Sequence, residues 1–106
     1  MKTRLSLAAI ALVIPVSAAL AADHLVEQKN KAFSVKSLKV KVGDSVEFKN
    51  ADAFNHNVFS LSDVKMFDLG SYPQGQSKKV TFDKPGKVEV ECAIHPEMQM
   101  VIEVAP

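Results

Sequence analysis

Cys92, His95 and Met98 lie within the short stretch Cys92-Ala93-Ile94-His95-Pro96-Glu97-Met98, and a further histidine, His56, follows Asn50 and immediately precedes Asn57. Together these residues supply a thiolate, two imidazoles and a thioether. Thiolate and thioether are soft donors that favour Cu(I), whereas imidazole accepts either oxidation state. A trigonal plane of His, His and Cys with a weak, distant sulfur on its axis is the donor set of a copper site that passes single electrons. Strained toward neither geometry, such a site needs little rearrangement when the metal changes oxidation state, and hydrogen bonds to the thiolate help set its potential. No other part of the chain offers a comparable constellation.

The chain opens with Lys2 and Arg4, an apolar run from Leu5 to Leu20, and Ala19-Leu20-Ala21, which has the small-residue spacing of a signal-peptidase site. Residues 1–21 are therefore expected to be a cleavable export signal, with the cut after Ala21 or Ala22. A membrane anchor fits less well, because Ser6, Pro15 and Ser17 interrupt the run and no basic stop-transfer flank follows it. What remains, residues 22–106, is one small domain whose core alone would be marginal, so a bound metal could stabilise it substantially. Loss of Lys2 and Arg4 leaves 11 basic against 12 acidic residues, a balance that argues against nucleic acid as a partner. A single cysteine in an exported chain cannot form an internal disulfide, and metal ligation explains it best.

Short alternating runs separated by turn signals make up the rest, and no helical period persists over ten residues. Strands are expected at Leu38–Val42, Val46–Asn50, Asn55–Ser60, near Asp68–Tyr72, Ser77–Phe82, Lys87–Cys92 and Gln99–Val104, with turns at Gly43-Asp44, Pro73–Gly75 and Asp83–Gly86. Seven or eight strands so spaced predict an all-β Greek-key β-sandwich. Val88, Val90 and Cys92 share one face of their strand, so the thiol looks into the core, and His56 does likewise two residues before Val58. The metal donors then gather at one pole of a rigid scaffold. Lys36, Lys39, Lys41 and Lys49 read as solvated strand positions rather than a docking patch.

Other chemistries fit these residues less well. Structural zinc wants four Cys or His donors, and only three are near. A cysteine nucleophile with His95 as its base would need an accessible, acidified thiol and a substrate cleft. Met98 and Met100 lie two residues apart and either could reach the metal, although Met100 suits packing with Ile102 and Val104. Cleavage after Ala21 would also create Ala22-Asp23-His24, a terminus able to chelate Cu(II) through its amine, two amides and an imidazole.

Two blocks resemble the cupredoxins, the small blue copper proteins that include amicyanin, pseudoazurin and plastocyanin. The first runs from Val40-Lys41-Val42-Gly43-Asp44-Ser45-Val46-Glu47-Phe48-Lys49-Asn50 through Asp52 to His56-Asn57-Val58. The second runs from Pro85-Gly86 to the Cys92–Met98 loop, with the ligand spacing of amicyanin. The resemblance implies a type 1 copper with His56, Cys92 and His95 in the equatorial plane and Met98 on the axis. It implies that Asn57 ties the His56 loop to the Cys92 loop near the sulfur. It also implies that the ring edge of His95 reaches the surface within an apolar patch, here flanked by Ile94 and Pro96, where redox partner proteins dock. Val90 and Glu91 stand where several relatives carry an aromatic residue just before the cysteine, and Glu97 stands where amicyanin-like loops tend to be apolar.

The expected protein is thus a periplasmic one-electron carrier with one copper per chain. It is expected to be no enzyme, to bind neither nucleic acid nor membrane in its mature form, and to work as a monomer. The alternative is a copper-handling protein in which His24, Met66 and Met100 form additional sites. A third possibility is a metal-free interaction domain, for which Cys92 would be dispensable.

Overall fold

Inward-facing apolar residues at every second position commit this sequence to paired strands with one face on a shared core. A computed structural model describes residues 20–106, so all of the expected leader except Leu20 and Ala21 lies outside the described residues. These residues form β1 (Asp23–Lys29), β2 (Ala32–Phe33), β3 (Ser37–Lys41), β4 (Ser45–Asn50), β5 (His56–Ser60), β6 (Phe67–Tyr72), β7 (Ser77–Thr81), β8 (Gly86–Glu91) and β9 (Gln99–Ala105). One sheet has the order β2-β1-β4-β7 and the other β3-β9-β8-β5-β6, giving the expected all-β sandwich.

All seven expected strands are present. The additions are β1 and the short β2. Along β1 only Val26 and Gln28 are fully buried, and the polar Gln28 hides the alternation from a hydrophobicity pattern. Its Oε1 accepts the hydroxyl of the buried Tyr72 at 2.7 Å, which lets an amide occupy a core position. Burial first, and then the nearby Cys92, push the Tyr72 hydroxyl above its usual range and keep it a donor. Phe48 lies fully buried between Phe33 and Phe67, and Phe67 meets Phe82 edge-on at 6.4 Å, so these four rings run through the core.

The parallel pair β1 and β4 spans the sandwich from Asp23↔Ser45 to Gln28↔Asn50, about 17 Å at the usual rise per residue. Each end of the pair has a buried aspartate. At one end Gly43, with φ of 96°, makes the tight turn that its lack of a Cβ permits. The following Asp44 accepts N–H groups from Ala22 and Lys41 and the ring of His24. At the other end Asn50 and Asp52 lead into β5. A register shift in the β5–β6 pairing sets Leu69 and Gly70 opposite Val58 and bends the sheet beside His56.

Gly86 has φ of 138°, and a Cβ there would come within 2.6 Å of Val64 Cγ2. Gly86→Ala is expected to cost about 1–3 kcal/mol in urea unfolding, from a backbone state that L-residues rarely adopt. The N–H groups of Ala22 and Lys41, followed by the His24 ring, hold the Asp44 carboxyl at about 2, against 3.8 ordinarily. A carboxyl depressed in the folded state stabilises fully above its unfolded pKa, and that contribution is lost as pH falls from about 4 through about 2. Unfolding measured across that window should show a shallower acid-induced loss in Asp44→Asn than in the parent.

Candidate metal centre

His56 is the first residue of β5, and Cys92 directly follows the last residue of β8, its neighbour in the sheet. Alternation turns both side chains inward, and both are fully buried. After β8 the chain cannot continue as a strand, because the seven residues from Cys92 to Met98 close on themselves. The Met98 N–H donates to the His95 carbonyl at 2.9 Å, and the Cys92 N–H donates to the Met98 carbonyl at 3.2 Å. This compact turn carries His95 back over the thiol.

Cys92 Sγ consequently lies 3.8 Å from Nδ1 of His56 and 3.8 Å from Nδ1 of His95. One donor atom from each of the three residues falls within 4.8 Å of the other two. A metal held about 2.0–2.3 Å from nitrogen and sulfur in a trigonal plane sets its donors roughly 3.5–3.8 Å apart, so the spacing fits a single ion. The softness of one thiolate with two imidazoles suits copper. Met98, at the end of the loop, is buried at the core, as is Met100, which packs in β9 with Ile102 and Val104.

A carboxylate fixes the orientation of His56. Its Nε2 lies 2.6 Å from Asp52 Oδ2, so Nε2 carries the proton and Nδ1 is left as the free donor facing Cys92. Asp52 also accepts the N–H groups of Asn30 at 2.7 Å and Lys31 at 3.1 Å, which form the two-residue turn of the β1–β2 hairpin. Both turn residues have positive φ, as a type I′ hairpin turn requires, an uncommon state for lysine. Burial alone would push the Asp52 carboxyl up, but the bond from His56, followed by the N–H groups of Asn30 and Lys31, brings it below its usual range. Asn50 braces the segment, accepting the Asp52 N–H at 2.8 Å and donating to the carbonyls of Phe54 and Tyr72.

Phe54 completes the outer wall. Its ring centroid is 5.3 Å from those of both His56 and His95, and the Lys31 ammonium lies 5.8 Å from its centre. His95 is half-buried, while Phe54 and Ile94 are exposed beside it.

The structure therefore brings His56, Cys92 and His95 together and places Met98 where their loop ends. Asn57 differs from the implied tie between loops: its Nδ2 lies 3.4 Å from Asp68 Oδ1 on β6, and its Oδ1 is buried without a partner. The rings of His56, Phe54 and His95 make that connection instead. His24 is remote from the centre, bound to Asp44 at the opposite end of the β1–β4 pair. Sequence reasoning missed the roles of Asp52, Phe54 and the Asn30-Lys31 turn. The available signal was Asp52 four residues before His56, within an Asn50-x-Asp52 turn.

Comparison with known proteins decides the family. Residues 21–105 match the model of the copper-binding proteins of the plastocyanin/azurin family. The chain belongs to this family. The methylamine utilization protein MauL of Methylorubrum extorquens is 35% identical over 69 residues, covering 64% of this chain and 60% of that protein. A Cu(I) form of an amicyanin variant superposes with a TM-score of 0.72 at 26% identity, covering 77% of this chain and 81% of amicyanin. A copper-containing nitrite reductase from Thermus scotoductus SA-01 gives a TM-score of 0.74 at 28% identity, over 79% of this chain but only 22% of the reductase. This cupredoxin thus has His56, Cys92 and His95 positioned to bind one copper ion.

The Asp52 carboxylate at 2.6 Å would make the His56 ring a stronger donor to a bound metal and so would favour its higher oxidation state. Asp52→Asn keeps the shape and removes the charge. It is expected to weaken Cu(II) binding on the order of ten-fold. If Cu(I) binding is little changed, the reduction potential rises by about 60 mV, a shift measurable by voltammetry of the copper-loaded protein.

Proposed function

We propose that this cupredoxin is an exported carrier of single electrons, with His56, Cys92 and His95 as equatorial copper ligands and Met98 as the axial one. The observation that carries this function is the buried thiol flanked at 3.8 Å by two imidazole nitrogens, one of them fixed in its tautomer by Asp52. Bound copper supplies a Cu(II)/Cu(I) couple. The Cys92 thiolate would give that couple its strong electronic connection to the polypeptide, and the Met98 thioether would tune its potential as the weak fourth donor. The β-scaffold holds the histidines in place and excludes water from the thiol. With four protein donors around the metal, no position is left for a substrate, as an oxidase or reductase would require.

Electrons enter and leave at the ring edge of His95. The rim formed by Ile94 and Phe54 offers redox partner proteins an apolar contact, with Glu97 and Lys31 as exposed charges at its edge. Brief encounters suit an interface below roughly 1,200 Å². Removal of residues 1–21 during export delivers the domain to the periplasm as residues 22–106. Copper storage or relay through His24 has less support, because that imidazole is occupied by Asp44.

Cu(II) titration of the mature protein is expected to give an intense thiolate-to-copper absorption band that saturates at one equivalent. The band should vanish in Cys92→Ser and persist in His24→Ala. Met98→Ala should retain a thiolate band but shift the potential, whereas Met100→Ala should leave the spectrum unchanged and cost about 2–5 kcal/mol of stability. Copper binding that survives without Cys92 would refute the carrier assignment.

A further inference from the structure

The pole away from the metal donors contains a nearly buried carboxylate that faces the nitrogen of Ala22. Asp44 is only 5% exposed. Its Oδ1 lies 2.8 Å from the Ala22 nitrogen, and its Oδ2 lies 2.9 Å from the Lys41 nitrogen and 3.0 Å from His24 Nε2. Two of these donors are backbone amides. The third is the ring nitrogen of an imidazole. Among the described residues, the side-chain ion pair of Asp44 is with His24.

Ala22 is also where the sheet first takes hold of the chain. Its carbonyl accepts the Ser45 N–H at 3.0 Å, and its nitrogen faces Asp44. Immediately before it, Ala21 and Leu20 are exposed. A cut after Ala21 leaves every contact of Ala22 in place, whereas a cut after Ala22 deletes both the donor to Asp44 and the acceptor for Ser45.

We propose that Asp44 is the receptor for the α-ammonium created at Ala22 by leader removal, so that maturation itself completes an ion pair fastening β1 to the β3–β4 turn. Hydrolysis by a signal peptidase adds the hydroxyl of water to the Ala21 carbonyl carbon and its hydrogen to the Ala22 nitrogen, which takes a further proton to become an ammonium at neutral pH. The neutral N–H that faces Asp44 in the precursor is thereby replaced by a full positive charge at the same atom, and charge-assisted hydrogen bonds are the stronger kind. The pair also withdraws the terminus from metal chemistry. Chelation of Cu(II) by Ala22-Asp23-His24 needs the amine, two deprotonated amides and the imidazole in one plane. In the folded chain, the amine and the imidazole share Asp44, and Asp23 and His24 pair with Ser45 and Val46. This inference rests on the export proposal for the cleavage itself, but not on the copper centre.

The test compares copper-loaded chains beginning at Ala22, Ala21 and Asp23, each with Asp44 intact and as Asp44→Asn. The Ala22 chain is expected to melt several degrees above the other two, and the difference should collapse in Asp44→Asn. Acetylation of the Ala22 amine provides the same comparison should Asp44→Asn fail to fold, and it should lower the melting temperature similarly. With Asp44 intact the Ala22 chain should bind one copper. In Asp44→Asn it should take up a second Cu(II) with the weak visible band of a square-planar nitrogen site. Equal melting of the Ala22 and Ala21 chains, no effect of acetylation, or a second copper bound with Asp44 intact would each overturn the ion pair. The mass of the exported protein is expected to begin at Ala22; any other start would overturn the maturation step. The thiolate band, read in every chain, reports separately on the copper centre.

Discussion

The 2.6 Å contact between His56 and Asp52 is the point on which the metal centre and the fold both depend. A carboxylate that is nearly buried must be satisfied or it destabilises the chain, and Asp52 is satisfied by three donors from two separate elements. Two of these donors lie in a hairpin turn with left-handed backbone, which the carboxylate helps to stabilise. The third fixes the tautomer of a metal ligand. Disturbing the β1–β2 turn would therefore alter the orientation of His56, and disturbing His56 would leave a buried charge short of a partner. Local strain and metal preorganisation are held by one group.

Preorganisation matters because a carrier gains from donors that stay in place when the charge of the metal changes. Here the thiol and one imidazole are fixed by burial, and the other imidazole is carried by a loop whose ends are tied by the backbone bonds of Cys92, His95 and Met98. Phe54 packs between the two rings from outside. It contributes an apolar wall where water would otherwise reach the ligands. The Val90-Glu91 pair before Cys92 is compatible with this arrangement: Val90 fills the core and Glu91 faces away from it.

The strands that carry the ligands were legible because they obey simple alternation: Val88, Val90 and Cys92 on one side, His56 and Val58 likewise. The spacing of Cys92, His95 and Met98 made the donor set legible as well. What escaped was polar. Gln28 occupies a core position because Tyr72 meets it across the sandwich, a contact 44 residues apart that no local pattern contains. Asp52 looks like an ordinary turn residue until the fold brings Asn30 and Lys31 against it. The dipeptide Asn30-Lys31 lacks the glycine that usually announces a type I′ turn. Asn57 illustrates the reverse error: its place beside His56 suggested a bond toward the ligand loop, but the register of β5 against β6 sends its amide to Asp68.

Both buried aspartates sit at ends of the same parallel pair, and each collects backbone N–H groups from another element. Asp52 fixes the hairpin at the metal pole, and Asp44 fixes the start of β1 and the β3–β4 turn at the far pole. Each joins a histidine to that backbone, but with opposite consequences. At Asp52 the carboxylate takes Nε2 and leaves Nδ1 free in a dry pocket beside a thiol, so the imidazole is prepared for metal. At Asp44 the same kind of contact involves a partly exposed ring with no soft donor nearby among the described residues, so His24 serves to hold the strand. The difference between a structural histidine and a metal-binding one in this chain lies in what the second ring nitrogen faces.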